Sequence, residues 1–251
     1  MPQRSPNKIP TVGSDRRLAK LQAELDAAND ELAGLSYAIG HDLRAPVRAL
    51  KGFSEALLED CVSELNPKGQ DYLRRVSAAA SRMSSLIDDL LQLSEITRAE
   101  MRYGPVDLSS LAHEVTRGLA QAAPLRTVTP LIADGLHTIG DRRLLLIALD
   151  SLLGNAWKFS GKTDQPVVEF GSLLVDGEHT YFIRDNGVGF DATQATRLFS
   201  PFQRLHSEED FAGKGIGLAI VRRIVTRHGG RVWAEGAVGR GATMFFTLGP
   251  D

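Results

Sequence analysis

From residue 18 the apolar residues Leu18, Leu21, Leu25, Ala28, Leu32, Leu35 and Ile39 fall alternately three and four apart, the spacing with which two helices bury a shared seam. Such a stripe commits the chain to a long helix that needs a partner. Past Ile39 the next apolar positions, Leu43 and Val47, come in steps of four, which relaxes a left-handed supercoil as a stutter does. Pro46 lies in this stretch; it has no amide to give to the carbonyl of Asp42, and its ring crowds that carbonyl. The spacing therefore predicts a helix bent or loosened one turn past His41. At about 100° per residue, His41 points away from the seam. The stripe continues through Leu50, Phe53 and Leu57, breaks around Asn66-Pro67 and resumes from Tyr72 to Leu93, which describes a helical hairpin. Two such hairpins pair into a four-helix bundle, so a homodimer is expected.

The stretch around His41 places an imidazole, a carboxylate (Asp42) and a guanidinium (Arg44) on one short segment. A neutral imidazole nitrogen is a nucleophile near neutral pH, and Asp42 is placed to accept its ring proton or hold one tautomer. By themselves these residues also describe an ordinary solvated surface pair.

Composition narrows the classes. The 251 residues fit one large or two ordinary domains, and a net charge of −2 offers no electrostatic argument for nucleic acid. A single cysteine, Cys61, rules out an internal disulfide framework and a cysteine-based zinc site, and fits a reducing, cytoplasmic setting. No run approaches the 18 or more apolar residues of a membrane-spanning helix. Any membrane-bound segment is therefore expected to lie outside this stretch. Residues 1–14, with prolines and basic residues, read as a flexible tail. Arg102-Tyr103-Gly104-Pro105 breaks the helical pattern, so residues 15–102 are expected to form the coiled coil and dimerising hairpin and residues 103–251 a second domain.

In that second part, Asp107 caps a helix of about a dozen residues, and Thr127 to Ala133 reads as a strand. Asp141 to Phe159 reads as a long helix, and Val167 to Leu174 with Thr180 to Arg184 as a hairpin around Asp176-Gly177. A further helix follows Gly217, and Arg231 to Ala234 and Thr243 to Leu248 read as closing strands. Hairpins in place of regular crossovers indicate an α+β sandwich.

Four constellations here carry chemistry. In Asn155-Ala156-Trp157-Lys158-Phe159, an Asn and a Lys three residues apart share a helix face; an amide oxygen can ligate Mg²⁺ and an ammonium can meet a phosphate. In Asp185-Asn186-Gly187-Val188-Gly189-Phe190, an Asp at a strand end can accept an amino group while glycines permit close ligand approach. Gly213-Lys214-Gly215-Ile216-Gly217-Leu218 is glycine-rich and opens a helix, which suits phosphate. A dinucleotide fingerprint needs a strand directly before such a loop, and the preceding residues read as loop. That loop holds Phe199, Pro201, Phe202 and Arg204 followed by Ser207 to Asp210, a composition that suits a lid over a ligand.

The ordered set resembles the sensor histidine kinases of two-component signalling, including the type found in bacterial phytochromes. The match covers about Leu35 to Leu248: the H box at His41 to Pro46, the N box at Asn155 to Phe159, a first glycine box at Asp185 to Gly189, a phenylalanine box around Phe199 and Phe202, and a second glycine box at Gly213 to Gly217. The resemblance implies a dimerisation and phosphotransfer bundle followed by an α/β-sandwich ATP-binding domain of the Bergerat (GHKL) type. It implies that His41 attacks the γ-phosphate of ATP and that the phosphoryl group passes to an aspartate on a response-regulator receiver domain. Asp185 would contact the adenine amino group, Asn155 would ligate Mg²⁺ and Lys158 would meet phosphate. Gly187, Gly189, Phe202, Gly213, Lys214, Gly215, Gly217 and Leu218 would complete the ATP site.

Two positions depart from the family pattern. Asp150 stands where a further Asn is usual, five residues before Asn155. Ala45 stands where many bifunctional relatives carry Thr, Asn or Gln to orient the water that dephosphorylates the regulator; alanine has no donor or acceptor, so weak phosphatase activity is expected. The rival ATPases related to gyrase and MutL share the Asn and glycine boxes but carry a Glu four residues before the Asn as base for water, and here that position is Ser151. A non-catalytic dimeric scaffold is the other alternative.

Overall fold

The computed structural model describes residues 12–175, 177–203, 205, 211 and 215–249, with only part of the side chains given over residues 12–33. The chain divides into two units, Met1–Arg98 and Ala99–Asp251.

The first unit is a helical hairpin. Helix α1 spans Val12–Asp60 and α2 spans Pro67–Arg98. Helix α1 thus includes residues 12–14, assigned above to the tail: no proline lies between Pro10 and Pro46 to stop it. It also runs through Pro46 uninterrupted. The neighbouring Val47 is buried with Ile87 and Leu91 of α2, and this cluster holds the helix across the weakened step. Gly40 packs so closely on α2 that a Cβ there would lie 3.0 Å from the Leu91 side chain. At the turn, the Asn66 carboxamide oxygen accepts from Gly69 N at 2.8 Å and caps α2. Leu32, Leu35, Ile39, Leu43, Leu50 and Phe53 on α1 and Tyr72, Val76, Met83 and Leu86 on α2 are all exposed within the single chain. Apart from Val47, the described apolar positions of the α1 stripe from Leu32 to Leu57 are therefore unburied in one copy; the side chains of Leu18, Leu21 and Leu25 lie outside the described residues.

The second unit is a two-layer α/β sandwich. Its strands are β1 (Gly104–Asp107), β2 (Thr129–Ile132), β3 (His137–Gly140), β4 (Val167–Val175), β5 (Glu178–Asp185), β6 (Val232–Gly236) and β7 (Ala242–Thr247). Its helices are α3 (Leu108–Ala122), α4 (Arg142–Phe159) and α5 (Gly217–Arg227). The main sheet runs β2-β4-β5-β7-β6, with β2 and β4 parallel and the other neighbours antiparallel. Strands β1 and β3 form a separate antiparallel pair, which the sequence reading lacked: at four residues each, they are too short to carry an alternation signal. Asp107 caps α3 as expected, its carboxylate accepting from Ser110 N at 2.9 Å. Val168, Phe170 and Ile183 of the sheet, Leu149, Leu152 and Leu153 of α4 and Val221 and Ile224 of α5 are almost fully buried and form the core of this unit. No described helix is long and apolar enough to cross a membrane.

Candidate functional site

The candidate residues fall into two sets, one in each unit. On α1, the His41 side chain is 70% exposed, and its Nδ1 lies 3.3 Å from the Asp42 carboxylate. With the proton on Nδ1, that nitrogen donates to Asp42, and the lone pair of Nε2 faces solvent. One turn on, Arg44 Nη2 donates to Asp88 Oδ1 of α2 at 2.7 Å, a charge-assisted bond that ties the guanidinium across the hairpin. Gly40 is buried directly before His41, so the imidazole stands on a turn seated against α2. Gly40 escaped the sequence reading; its signal was a residue without a side chain on the inward face.

In the second unit, one pocket forms where the end of α4, the end of β5 and the start of α5 meet. Asn155, Lys158, Asp185, Gly189, Gly215, Gly217 and Leu218 all line it. The α4 core positions Leu149, Leu152, Leu153 and Ala156 are buried, which turns Asn155 and Lys158 to the side of the helix that borders the pocket. The Lys158 ammonium lies 4.2 Å from the centre of the Phe159 ring, a cation–π contact, and Phe159 meets Phe211 edge-on at 5.0 Å. The apolar walls, among them Leu152, Ile183, Phe190, Phe211 and Met244, went unpredicted because their spacing is that of ordinary core.

Asp185 is the buried acid of this pocket. Its Oδ1 accepts from Gly187 N at 2.9 Å. Burial pushes the carboxyl up to about 6, against the opposing pull of the Gly187 and Ala242 amides. The desolvation outweighs the two hydrogen bonds to the charged form, and a buried carboxyl lining the pocket can accept from an amino group. Gly187 is not a lining residue. A Cβ there would collide with the Phe159 carbonyl, and the loop is bonded to that same carbonyl through Val188 N at 3.2 Å. Gly187 thus acts by letting the β5 loop close onto the end of α4. Gly189 combines a positive φ of 63° with a backbone approach that excludes any side chain.

Phe202 is not among the lining residues; it is 50% exposed, whereas Phe199 is buried. Gly213 and Lys214, as well as Arg204 and residues 207–210, lie outside the described residues. Asp150 is exposed on α4 and does not line the pocket. The Ser151 hydroxyl occupies the space that a Cβ on Gly217 would need, so the start of α5 packs directly on this position of α4. Among the described residues, no group of three or more His, Cys, Asp or Glu side chains gathers as a metal site.

Comparison with known proteins finds a family match in each unit. Residues 31–99 match the His Kinase A (phospho-acceptor) domain, and residues 140–251 match the family described as histidine kinase-, DNA gyrase B- and HSP90-like ATPase. A phospho-acceptor hairpin joined to an ATPase-type sandwich defines the class, and the chain belongs to the sensor histidine kinases. It is 34% identical over 249 residues to the methanogenesis regulatory histidine kinase FilI of Methanothrix harundinacea, covering 98% of this chain and 28% of that protein. It is 32% identical to cyanobacterial phytochrome B of Nostoc, covering 92% of this chain and 31% of that protein. The chain therefore spans about a third of the length of these relatives. Among solved structures, full-length ShkA in complex with AMPPNP shares the fold, with a TM-score of 0.60 and 24% identity over 87% of this chain and 47% of that one.

Proposed function

We propose that this chain autophosphorylates His41 from ATP and passes the phosphoryl group to an aspartate of a response-regulator receiver domain. The observation that carries the reading is the convergence of Asn155, Lys158, Asp185 and the start of α5 on one pocket, in a chain whose other unit exposes a histidine already paired with a carboxylate. Asp185 would take the adenine amino group, Lys158 and the amides at the start of α5 would meet phosphate, and Gly187 and Gly189 would hold the loop against the nucleotide.

In the transfer, Nε2 of His41 forms a bond to the γ-phosphorus as the bond from that phosphorus to the bridging oxygen of ADP breaks. The imidazolium that results keeps its Nδ1 proton against Asp42, whose carboxylate offsets the new charge. Asn155 offers the hard oxygen that Mg²⁺ prefers, and since no acidic cluster stands beside it among the described residues, phosphates and water would supply the remaining ligands. When bound, Mg²⁺ supplies charge neutralisation on the phosphate oxygens.

The same reading includes a homodimer, supported by the apolar face that one copy leaves uncovered. It includes a cytoplasmic setting, which the single Cys61 fits, and a separate sensor. Ala45 supports a kinase with weak phosphatase activity. The gyrase-like alternative lacks its base, because Ser151 stands where those ATPases carry Glu and cannot accept a proton from water at neutral pH. Incubation with γ-labelled ATP and Mg²⁺ tests the proposal: acid-labile, base-stable label on the wild type and none on His41→Gln supports it. Steady phosphate release without label points to an ATPase, and neither signal points to a scaffold.

A further inference from the structure

The segment 99–103, by which the chain enters the second unit, is fastened to the ends of α4 and α5 that lie away from the pocket. Arg102 N donates to Asp141 Oδ2 at 2.9 Å, Tyr103 Oη donates to the Arg227 carbonyl at 3.1 Å, and Arg227 Nη2 donates back to the Ala99 carbonyl at 2.5 Å. His228 sits at the centre, only 5% exposed. Its Nε2 accepts from Asp141 N at 3.0 Å, which places the proton on Nδ1, and Nδ1 donates to the Ile224 carbonyl at 2.8 Å. The Tyr103 ring meets the His228 ring edge-on at 5.7 Å.

Asp141 is the N-cap of α4 and His228 the C-cap of α5. The opposite end of α4 carries Asn155 and Lys158, and α5 begins at Gly217. A helix of 18 residues is a rod about 27 Å long, so a displacement of its capped end is carried to the other. One imidazole thus joins both rods, and one short segment holds the joint.

We propose that Tyr103, Asp141 and His228 form a latch through which the entering segment sets the positions of α4 and α5, making His228 a positioning residue for the nucleotide. This rests on the reading of the pocket as an ATP site. Coupling of this kind is reciprocal: if the latch tightens nucleotide binding, nucleotide tightens the latch.

The test uses the full chain with ADP as the probe, comparing wild type, Tyr103→Phe, His228→Ala and His228→Gln by titration, by amide hydrogen exchange with and without ADP, and by melting temperature. Tyr103 is 56% exposed, so removing its hydroxyl leaves the fold intact. ADP is expected to slow exchange at the Arg102 amide in the wild type. Tyr103→Phe is expected to weaken ADP binding about threefold and to abolish that slowing at an unchanged melting temperature. His228→Ala is expected to weaken binding about fivefold or more, with partial recovery in His228→Gln, whose amide oxygen can accept from Asp141. If His228→Ala does not fold, Tyr103→Phe and the exchange data decide. Wild-type affinity in Tyr103→Phe, with Arg102 exchange indifferent to ADP, would overturn the latch alone. A wild type that binds no ADP would overturn the nucleotide reading and the latch with it.

Discussion

The main-chain amide of Asp141 donates to Nε2 of His228 across 3.0 Å inside the second unit, which fixes the imidazole as the neutral Nδ1 tautomer. Burial holds His228 below its ordinary value of 6.5, only partly offset by its bond to the Ile224 carbonyl and the field of Asp141, and Arg227 adds to the depression. Unfolding releases the ring to its ordinary affinity, so the unfolded state binds more protons below 6.5. The resulting stability is complete above about pH 6.5 and is lost as pH falls toward the depressed value, with a slope of at most about 1.4 kcal/mol per pH unit for one group. Urea unfolding of wild type and His228→Gln between pH 7.5 and pH 5 should differ by this slope, and parallel curves would exclude the ring as its source. Asp185 slopes the other way over pH 4 to 6, because its carboxyl is raised and the folded state holds its proton, so the difference between the two proteins, and not either curve alone, isolates His228.

With Asp185 as the proposed acceptor of the adenine amino group, nucleotide binding should carry its own pH dependence. A carboxylate accepts from an amino group more strongly than a carboxylic acid does, and a carboxyl pushed up to about 6 is mostly protonated at pH 5. ADP affinity should fall about tenfold between pH 7.5 and pH 5 beyond any change intrinsic to ADP. Asp185→Asn should bind about tenfold or more weakly at pH 7.5 and lose that extra dependence. Calorimetric titration of both proteins at the two pH values checks this, and an undiminished pH effect in Asp185→Asn would place the titrating group elsewhere.

Gly40 sets how closely the His41 turn approaches α2. A methyl group at this position lies 3.0 Å from both Cγ and Cδ2 of the buried Leu91, which must give by a few tenths of an ångström, while alanine gains about 1 kcal/mol of helix propensity. Gly40→Ala should therefore be close to neutral. Gly40→Leu overpacks the contact and should destabilise the first unit by about 1–3 kcal/mol. Thermal unfolding of the two variants followed by circular dichroism checks the contrast.

Ala45, exposed one turn past His41, offers no group to orient water. The wild type should dephosphorylate a phosphorylated receiver domain slowly, and Ala45→Thr should accelerate it without abolishing labelling of His41. Release of phosphate from a labelled receiver, timed with each protein, measures both.

Much of this was legible in the chain before any coordinates. The periodicity of α1 and α2 specified the hairpin because a helix of that length must bury its stripe, and Asp107 announced α3 because an N-cap is a local interaction. The boxes around Asn155, Asp185 and Gly217 could be recognised because each chemical role needs its residue within a few positions of a glycine or a helix end. Strands β1 and β3 were illegible for the opposite reason: four residues carry too little pattern, and their pairing is decided by a partner 30 or more residues away.

Sequence alone thus determined which residues have the chemistry: a nucleophilic imidazole, an amide, an ammonium and a carboxylate in a fixed order. Only the tertiary structure decided their states. Burial at the end of β5 pushes the Asp185 carboxyl up to about 6, and Phe202 is exposed while Phe199 is buried. Gly187 proved to serve the approach of two backbones. His228, which matched no motif, became the joint between α4, α5 and the entering segment. Burial, backbone approach and the joining of distant helix ends are sums over neighbours far apart in the chain, and no local pattern of residues encodes them.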